Sequence, residues 1–129
     1  MLKEGLKGSN ETISTKEKTA AAMGSGSLQV YGTPMMIALM EETCFNCAQA
    51  QLEEGATTVG ISVNIKHLAA TPVGMKVTCE SELIKVEGRA LTFHVKAFDE
   101  SGLIGEGEHE RFIVMRDKFQ EKTDAKLKK

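Results

Sequence analysis

Apolar and polar residues alternate with a period of two through the second half of the chain, and one long apolar stretch precedes them. In VGISVNIKHL (59–68), Val59, Ile61, Val63, Ile65 and His67 fall on one side and Gly60, Ser62, Asn64, Lys66 and Leu68 on the other, the period of a half-buried strand. TPVG predicts a turn, and MKVTCESELIKV (75–86) a second long strand. Its inward residues run Met75, Val77, Cys79 and then change phase near Leu83 and Ile84, the mark of a bulge. EGR turns the chain into ALTFHVKAF, with Leu91, Phe93, Val95 and Ala97 on one face, and DESG turns it again into LIGEGEHERFIVMR. Upstream, GLKGSNETIS (5–14) predicts a first short strand and AMGSGS (22–27) a loop. From Pro34 to about Leu52 the pattern is that of a single helix, apolar around most of its circumference, which other elements normally wrap. EEGATT ends it.

One buried helix followed by four strands, completed by the N-terminal strand, predicts an α+β fold in which an antiparallel sheet covers the helix. A long central helix wrapped by a curled sheet is the hotdog architecture. The 129 residues are read as a single domain, 1–129, with the lysine-rich end from about residue 120 a frayed, solvated terminus.

Composition narrows the function. A net charge of −2 argues against a nucleic-acid partner, which requires a basic face. No apolar run approaches the ~20 residues that span a bilayer, and MLKEGLKGSN has no apolar signal core, so no membrane partner is expected. Three cysteines cannot all pair within one chain, which predicts a reduced, cytoplasmic protein.

The opening of the helix, GTPMMIALMEET (32–43), holds the first candidate for chemistry. Glu41 sits among Ile37, Ala38, Cys44 and Phe45, its neighbours at helical spacing. A carboxylate there either meets solvent, pairs with a lysine, or serves a purpose that outweighs its desolvation. His67 shares the apolar face of its strand, as a core histidine would. Paired with Glu41, it would complete an acid–base couple. Thr33 before Pro34 is a good helix N-cap, and the same position sets its hydroxyl beside the free N–H groups that can hold a carbonyl or oxyanion. In the last strand Glu106, Glu108 and Glu110 face water. His109 and Arg111 share the opposite face with Leu103 and Ile113, where a dimer contact, phosphate binding or a structural ion pair would each account for them. Gly60 marks a bulge, tight packing, or a place where substrate lies against the backbone. CFNC (44–47) lacks the second ligand pair of a zinc site and lies inside the helix rather than at its N-terminus, so Cys44 and Cys47 are read as core residues and no metal or cofactor is expected. His94, in phase with Thr92 and Lys96, is expected at the surface.

GTPMMIALMEETC, ATTVGISVNIKHLAATPVGMKV, VEGRALTFHVKAFDE and IGEGEHERFIV occur in the order of the fluoroacetyl-CoA thioesterase-like branch of the hotdog thioesterases, which the chain resembles over about residues 28–120. The resemblance implies an acyl-CoA thioesterase, at least a homodimer, with its site at the subunit interface. It assigns catalysis to Thr33, Glu41 and His67, and substrate contact to Gly60, His109 and Arg111. Ahead of the helix, where the fluoroacetate-specific enzyme is rich in aromatic residues, this chain has TAAAMGSGSLQVY. An ordinary short-chain acyl-CoA is therefore the expected substrate. A non-catalytic acyl-CoA-binding module is the rival reading, and a hotdog hydratase is disfavoured because the helix lacks a His–Asp style dyad.

Overall fold

The computed structural model describes residues 1–128. A five-stranded antiparallel sheet is built from β1 (Lys7–Ile13), β2 (Ala56–His67), β3 (Lys76–Glu87), β4 (Ala90–Asp99) and β5 (Gly102–Met115), in the spatial order β1-β3-β4-β5-β2. The helices are α1 (Ala20–Met23), α2 (Thr33–Gln49) and α3 (Arg116–Asp124). None is long and apolar enough to cross a membrane.

Helix α2 lies on the concave face and buries Met36, Leu39, Met40, Thr43, Cys44 and Ala48. These meet Val77, Cys79 and Leu83 of β3 and Leu91, Phe93, Val95 and Ala97 of β4, the inward phase that alternation predicts for both strands. The sheet covers one side of α2, while Ala38, Glu42 and Asn46 are exposed. Two of those three are polar, so the helix is apolar around most, not all, of its circumference.

Three register shifts interrupt the ladders. The shift between Leu83 and Lys85 is the expected bulge in β3. A second, between Ala97 and Phe98, changes the phase of β5 relative to the reading above. Ile104 is buried in place of Leu103, which is 37% exposed. The third falls between Gly60 and Ser62. It corrects the expected phase of β2, because strict alternation cannot survive an inserted residue. Thr58 and Gly60 point inward before the bulge, and Val63, Ile65 and His67 after it, opposite Ile113, Arg111, His109, Gly107 and Gly105 in turn. Val59 is thus on the outer face, and Ile61, at the bulge, is 53% exposed.

Of the C-terminal stretch expected as a solvated terminus, residues 120–128 are exposed but begin within α3, and Lys129 lies outside the described residues. His94 is half-buried on the convex face, opposite Glu82 and Glu108.

Glycines let β5 lie close to its neighbours. A methyl group at Gly107 would overlap the carbonyl oxygen of Asn64 and stand 2.6 Å from Ile65 Cα. Both obstacles are backbone, so no rotamer change relieves them. Gly107→Ala should lower the free energy of unfolding by at least the ~1–3 kcal/mol typical of overpacking, read from the midpoint of urea denaturation.

Candidate active site

Helix α2 and strand β2 run in opposite directions, so the start of one meets the end of the other. Two groups of site residues result. At the first, the Thr33 hydroxyl oxygen lies 2.7 Å from His67 Nδ1. Gly32 is the N-cap, Thr33 the first helical residue, and Pro34 follows. The expected capping bond is absent, and the Thr33 hydroxyl serves the imidazole instead. The helix N-terminus also offers fewer donors than its sequence suggests. Proline contributes no N–H, and those of Met35 and Met36 are taken by the Gly32 carbonyl at 3.0 and 3.1 Å.

His67 Nε2 is buried and has no hydrogen-bond partner among the described residues. Burial holds the His67 pKa below the ordinary imidazole value, and a backbone contact with Ala69 works against it. The pair borders a cleft of about 310 Å³ whose walls include Ala20, Ser25, Ala69 and Ala70, with Tyr31 as the one aromatic side chain.

Two helical turns further on, Glu41 is half-buried and faces β2 at Gly60. A Cβ there would stand 2.9 Å from Glu41 Oε2, 3.1 Å from His109 Cε1 and 3.4 Å from Arg111 Nη1. The missing side chain is what lets the carboxylate, the imidazole and the guanidinium converge. Of the readings open for Gly60, both the bulge and the close approach hold.

Arg111 and His109 are 6% and 1% exposed. Arg111 Nε donates to Thr58 Oγ1 at 2.7 Å and Nη2 to the Thr58 carbonyl at 3.0 Å. Its guanidinium carbon lies 5.6 Å from the centre of the Phe45 ring, within cation–π range. Nη1 is 3.1 Å from His109 Nε2, while His109 Nδ1 is 2.8 Å from the Ser62 carbonyl. A guanidinium only donates and a carbonyl only accepts. His109 is therefore the neutral tautomer, donating from Nδ1 to Ser62 and accepting at Nε2 from Arg111. Burial lowers the His109 pKa and the Arg111 charge adds to the effect, against the Ser62 bond. Burial also lowers the Arg111 pKa, and the Glu41 carboxylate offsets part of that.

The structure thus unites Thr33 with His67, and Glu41 with Gly60, His109 and Arg111. Among the described residues no hydrogen bond joins Glu41 to His67, so the acid–base couple is not closed within one chain. Thr58 and Phe45 complete the second group, and sequence reading did not single them out. Phe45 carries a signal in hindsight, one turn beyond Glu41 on the same helix face. Thr58 carries none.

Cys44 and Cys79 are buried and Cys47 half-buried, all as free thiols. Burial drives the Cys44 pKa far up and that of Cys79 to about 11, which leaves both as protonated core residues at neutral pH. Among the described residues no group of three or more His, Cys, Asp and Glu side chains is placed to hold a metal.

With both site histidines depressed, the unfolded chain binds protons more readily than the folded one once the pH falls below ~6.5. Stability should be full above that value and decline as the pH passes down through the folded pKa values. Thermal unfolding between pH 7.5 and 5 should show the loss, and a His67→Gln, His109→Gln double variant should flatten it.

The family model described as fluoroacetyl-CoA-specific thioesterase matches residues 14–117. The fluoroacetyl-CoA thioesterase of Streptantibioticus cattleyicolor is 40% identical over 98 residues, covering 76% of this chain and 70% of that protein. A solved structure of the fluoroacetyl-CoA thioesterase FlK superposes with a TM-score of 0.91 at 32% identity, over 98% of both chains. A thioesterase superfamily member from Thermus thermophilus, described as hypothetical, superposes with a TM-score of 0.90 at 33% identity, over 99% of this chain and 94% of that one.

Proposed function

The chain belongs to the fluoroacetyl-CoA-specific thioesterase family, and is a hotdog-fold hydrolase of acyl-CoA thioesters; on that premise we propose that its substrates are ordinary short-chain acyl-CoAs and that two protomers build each site. One observation carries the second proposal. Thr33 and Glu41 are eight positions apart on α2, about 12 Å of helix rise, and each has its own partners on β2. A thioester carbonyl a few ångströms across does not reach both.

The free edge of β2 supplies the remedy. Residues 60–64 are exposed, with Ile61 and Val63 at 53% and 42%, and an open apolar edge of this kind invites a second strand. Antiparallel pairing of two β2 edges about an axis near Val63 and Asn64 would set the Thr33–His67 end of each protomer beside the Glu41–Gly60 end of its mate. An isologous homodimer follows, with two equivalent sites.

In such a site Glu41 delivers the oxygen nucleophile to the thioester carbonyl, as its own carboxylate or as the water it deprotonates. The C–S bond breaks, and His67 carries a proton to the departing CoA thiolate, with Thr33 fixing the ring. Attack by the carboxylate itself forms a mixed anhydride, which water then hydrolyses. Gly60 leaves room for the acyl group, and His109 and Arg111 line that end. The small walls of the cleft beside His67 support a short aliphatic acyl chain over one selected by aromatic packing. No cofactor enters this chemistry, and a cytoplasmic supply of acyl-CoA suits the protein's free thiols.

Glu41→Gln removes the charge at nearly constant shape. Release of CoA from an acetyl-, propionyl- and butyryl-CoA panel should fall by at least ~100-fold, while the protein still folds with a melting temperature at or below the parent's because Arg111 loses its neighbouring carboxylate. Turnover within a few-fold of the parent would return Glu41 to a structural role. Separately, Ile61→Lys with Val63→Lys should give monomers by analytical ultracentrifugation and abolish CoA release. Monomers that retain full turnover would show that one chain suffices.

A further inference from the structure

Beyond His67 the chain leaves the sheet in a segment held from three sides. The N–H groups of Leu68 and Ala69 both point to the Ile104 carbonyl, at 2.6 and 3.2 Å. Thr71 then disappears from solvent entirely. Its carbonyl accepts the Tyr31 N–H at 2.8 Å, and Val30 bridges Pro72 beside it. Its hydroxyl donates to Asp99 Oδ2 at 2.7 Å. The other Asp99 oxygen accepts the N–H groups of Ser101 at 2.7 Å and Gly102 at 3.2 Å, which fastens the carboxylate to the β4–β5 turn.

Thr71 is four residues past His67, and Tyr31 is two residues before Thr33. The two chain segments that present the Thr33–His67 pair are thus joined at one buried residue, through the Thr71 carbonyl, and that residue is anchored to one turn through its hydroxyl. Both residues of the pair sit at the ends of their elements. His67 is the last residue of β2, and α2 begins at Thr33 without a side-chain cap. We infer that Thr71 and Asp99 are positioning residues for hydrolysis, a clamp that keeps the Thr33 hydroxyl within hydrogen-bond reach of the His67 ring. Neither residue is placed to touch substrate; both act through His67. The inference rests on the reading of Thr33 and His67 as half of the hydrolytic site. A displacement of ~1 Å at such a pair is enough to cost about 100-fold in rate.

Thr71→Val keeps the volume and removes the donor. Steady-state CoA release should show kcat reduced about 10-fold or more with KM changed less than about threefold, the split expected when ground-state binding is intact. Thr71→Ser, which restores the hydroxyl, should return kcat to within about threefold of the parent. A residue that only supports the fold would alter the folded fraction and leave kcat per folded molecule unchanged. The cycle with His67→Ala is decisive, because a clamp acting through the imidazole has nothing left to position once the ring is gone. Adding Thr71→Val to His67→Ala should then change kcat by less than about twofold. Parental kcat in Thr71→Val, or an equal loss in the His67→Ala background, overturns the clamp while leaving the active-site reading intact. Parental turnover in His67→Ala itself overturns both. Should Thr71→Val not fold, Thr71→Ala carries the same comparison, since it also removes the hydroxyl donor and leaves the Asp99 bonds to the turn in place.

Discussion

A guanidinium taken out of water is the constraint around which one end of the site is arranged. Arg111 is 6% exposed, and burying its charge is tolerable only where its donors and its charge both find partners. Thr58 meets two N–H groups, His109 a third, the Phe45 face covers the cation, and the Glu41 carboxylate stands nearby. Each requirement restricts a different element. Strand β5 must carry histidine and arginine on the same face, β2 must place Thr58 opposite them, and α2 must present Phe45 and Glu41 one turn apart. A glycine at position 60 is the remaining condition, because any Cβ would fill the space these groups share.

The same constraint sets the chemistry available at that end. Arg111 takes the His109 Nε2 lone pair, so His109 cannot act as a base there without first losing that bond. It is a neutral spacer between the Ser62 carbonyl and the arginine. His67 is different. Its Nδ1 is engaged by a hydroxyl and its Nε2 by nothing among the described residues, which leaves the ring free to exchange a proton. Two histidines with pKa values lowered in the same direction thus have unlike roles, decided by hydrogen-bond partners rather than by burial.

Much of this was legible in the sequence where a period is regular. Leu91, Phe93, Val95 and Ala97 alternate without interruption and are all buried, and the inward turn of His109 and Arg111 followed from the three outward glutamates beside them. Prediction succeeded at the β3 insertion, where the apolar phase visibly shifts, and failed at the insertions in β2 and β5. The bulge between Gly60 and Ser62 exchanges faces within one strand, so Val59 was placed on the wrong side while His67 was placed correctly. Nothing in a period of two distinguishes those cases, because an extra residue changes the phase and leaves the residue types untouched. Thr33 shows a second limit. Its capping propensity is local, whereas its partner lies 34 residues away on another element, and propensity carries no information about that distance.

The separation of Glu41 from His67 follows from helix and strand geometry rather than from any side-chain choice. Adjacent antiparallel elements pair their residues in reverse order, so a carboxylate two turns into α2 and a histidine at the far end of β2 are held apart within one chain. Moving the carboxylate toward Thr33 would place it opposite the later residues of β2, away from the bulge and from Gly60. Moving the histidine toward Gly60 would bring it against Arg111, where a second imidazole would compete for the donors that keep the guanidinium satisfied. The sequence keeps both residues where their local partners are, and the proposed two-fold axis across β2 would reunite the halves without disturbing either. In the proposed dimer a hydrolytic site built this way would depend on the same edge that gives β2 its exposed Ile61 and Val63, and assembly would then be a condition of catalysis rather than an addition to it.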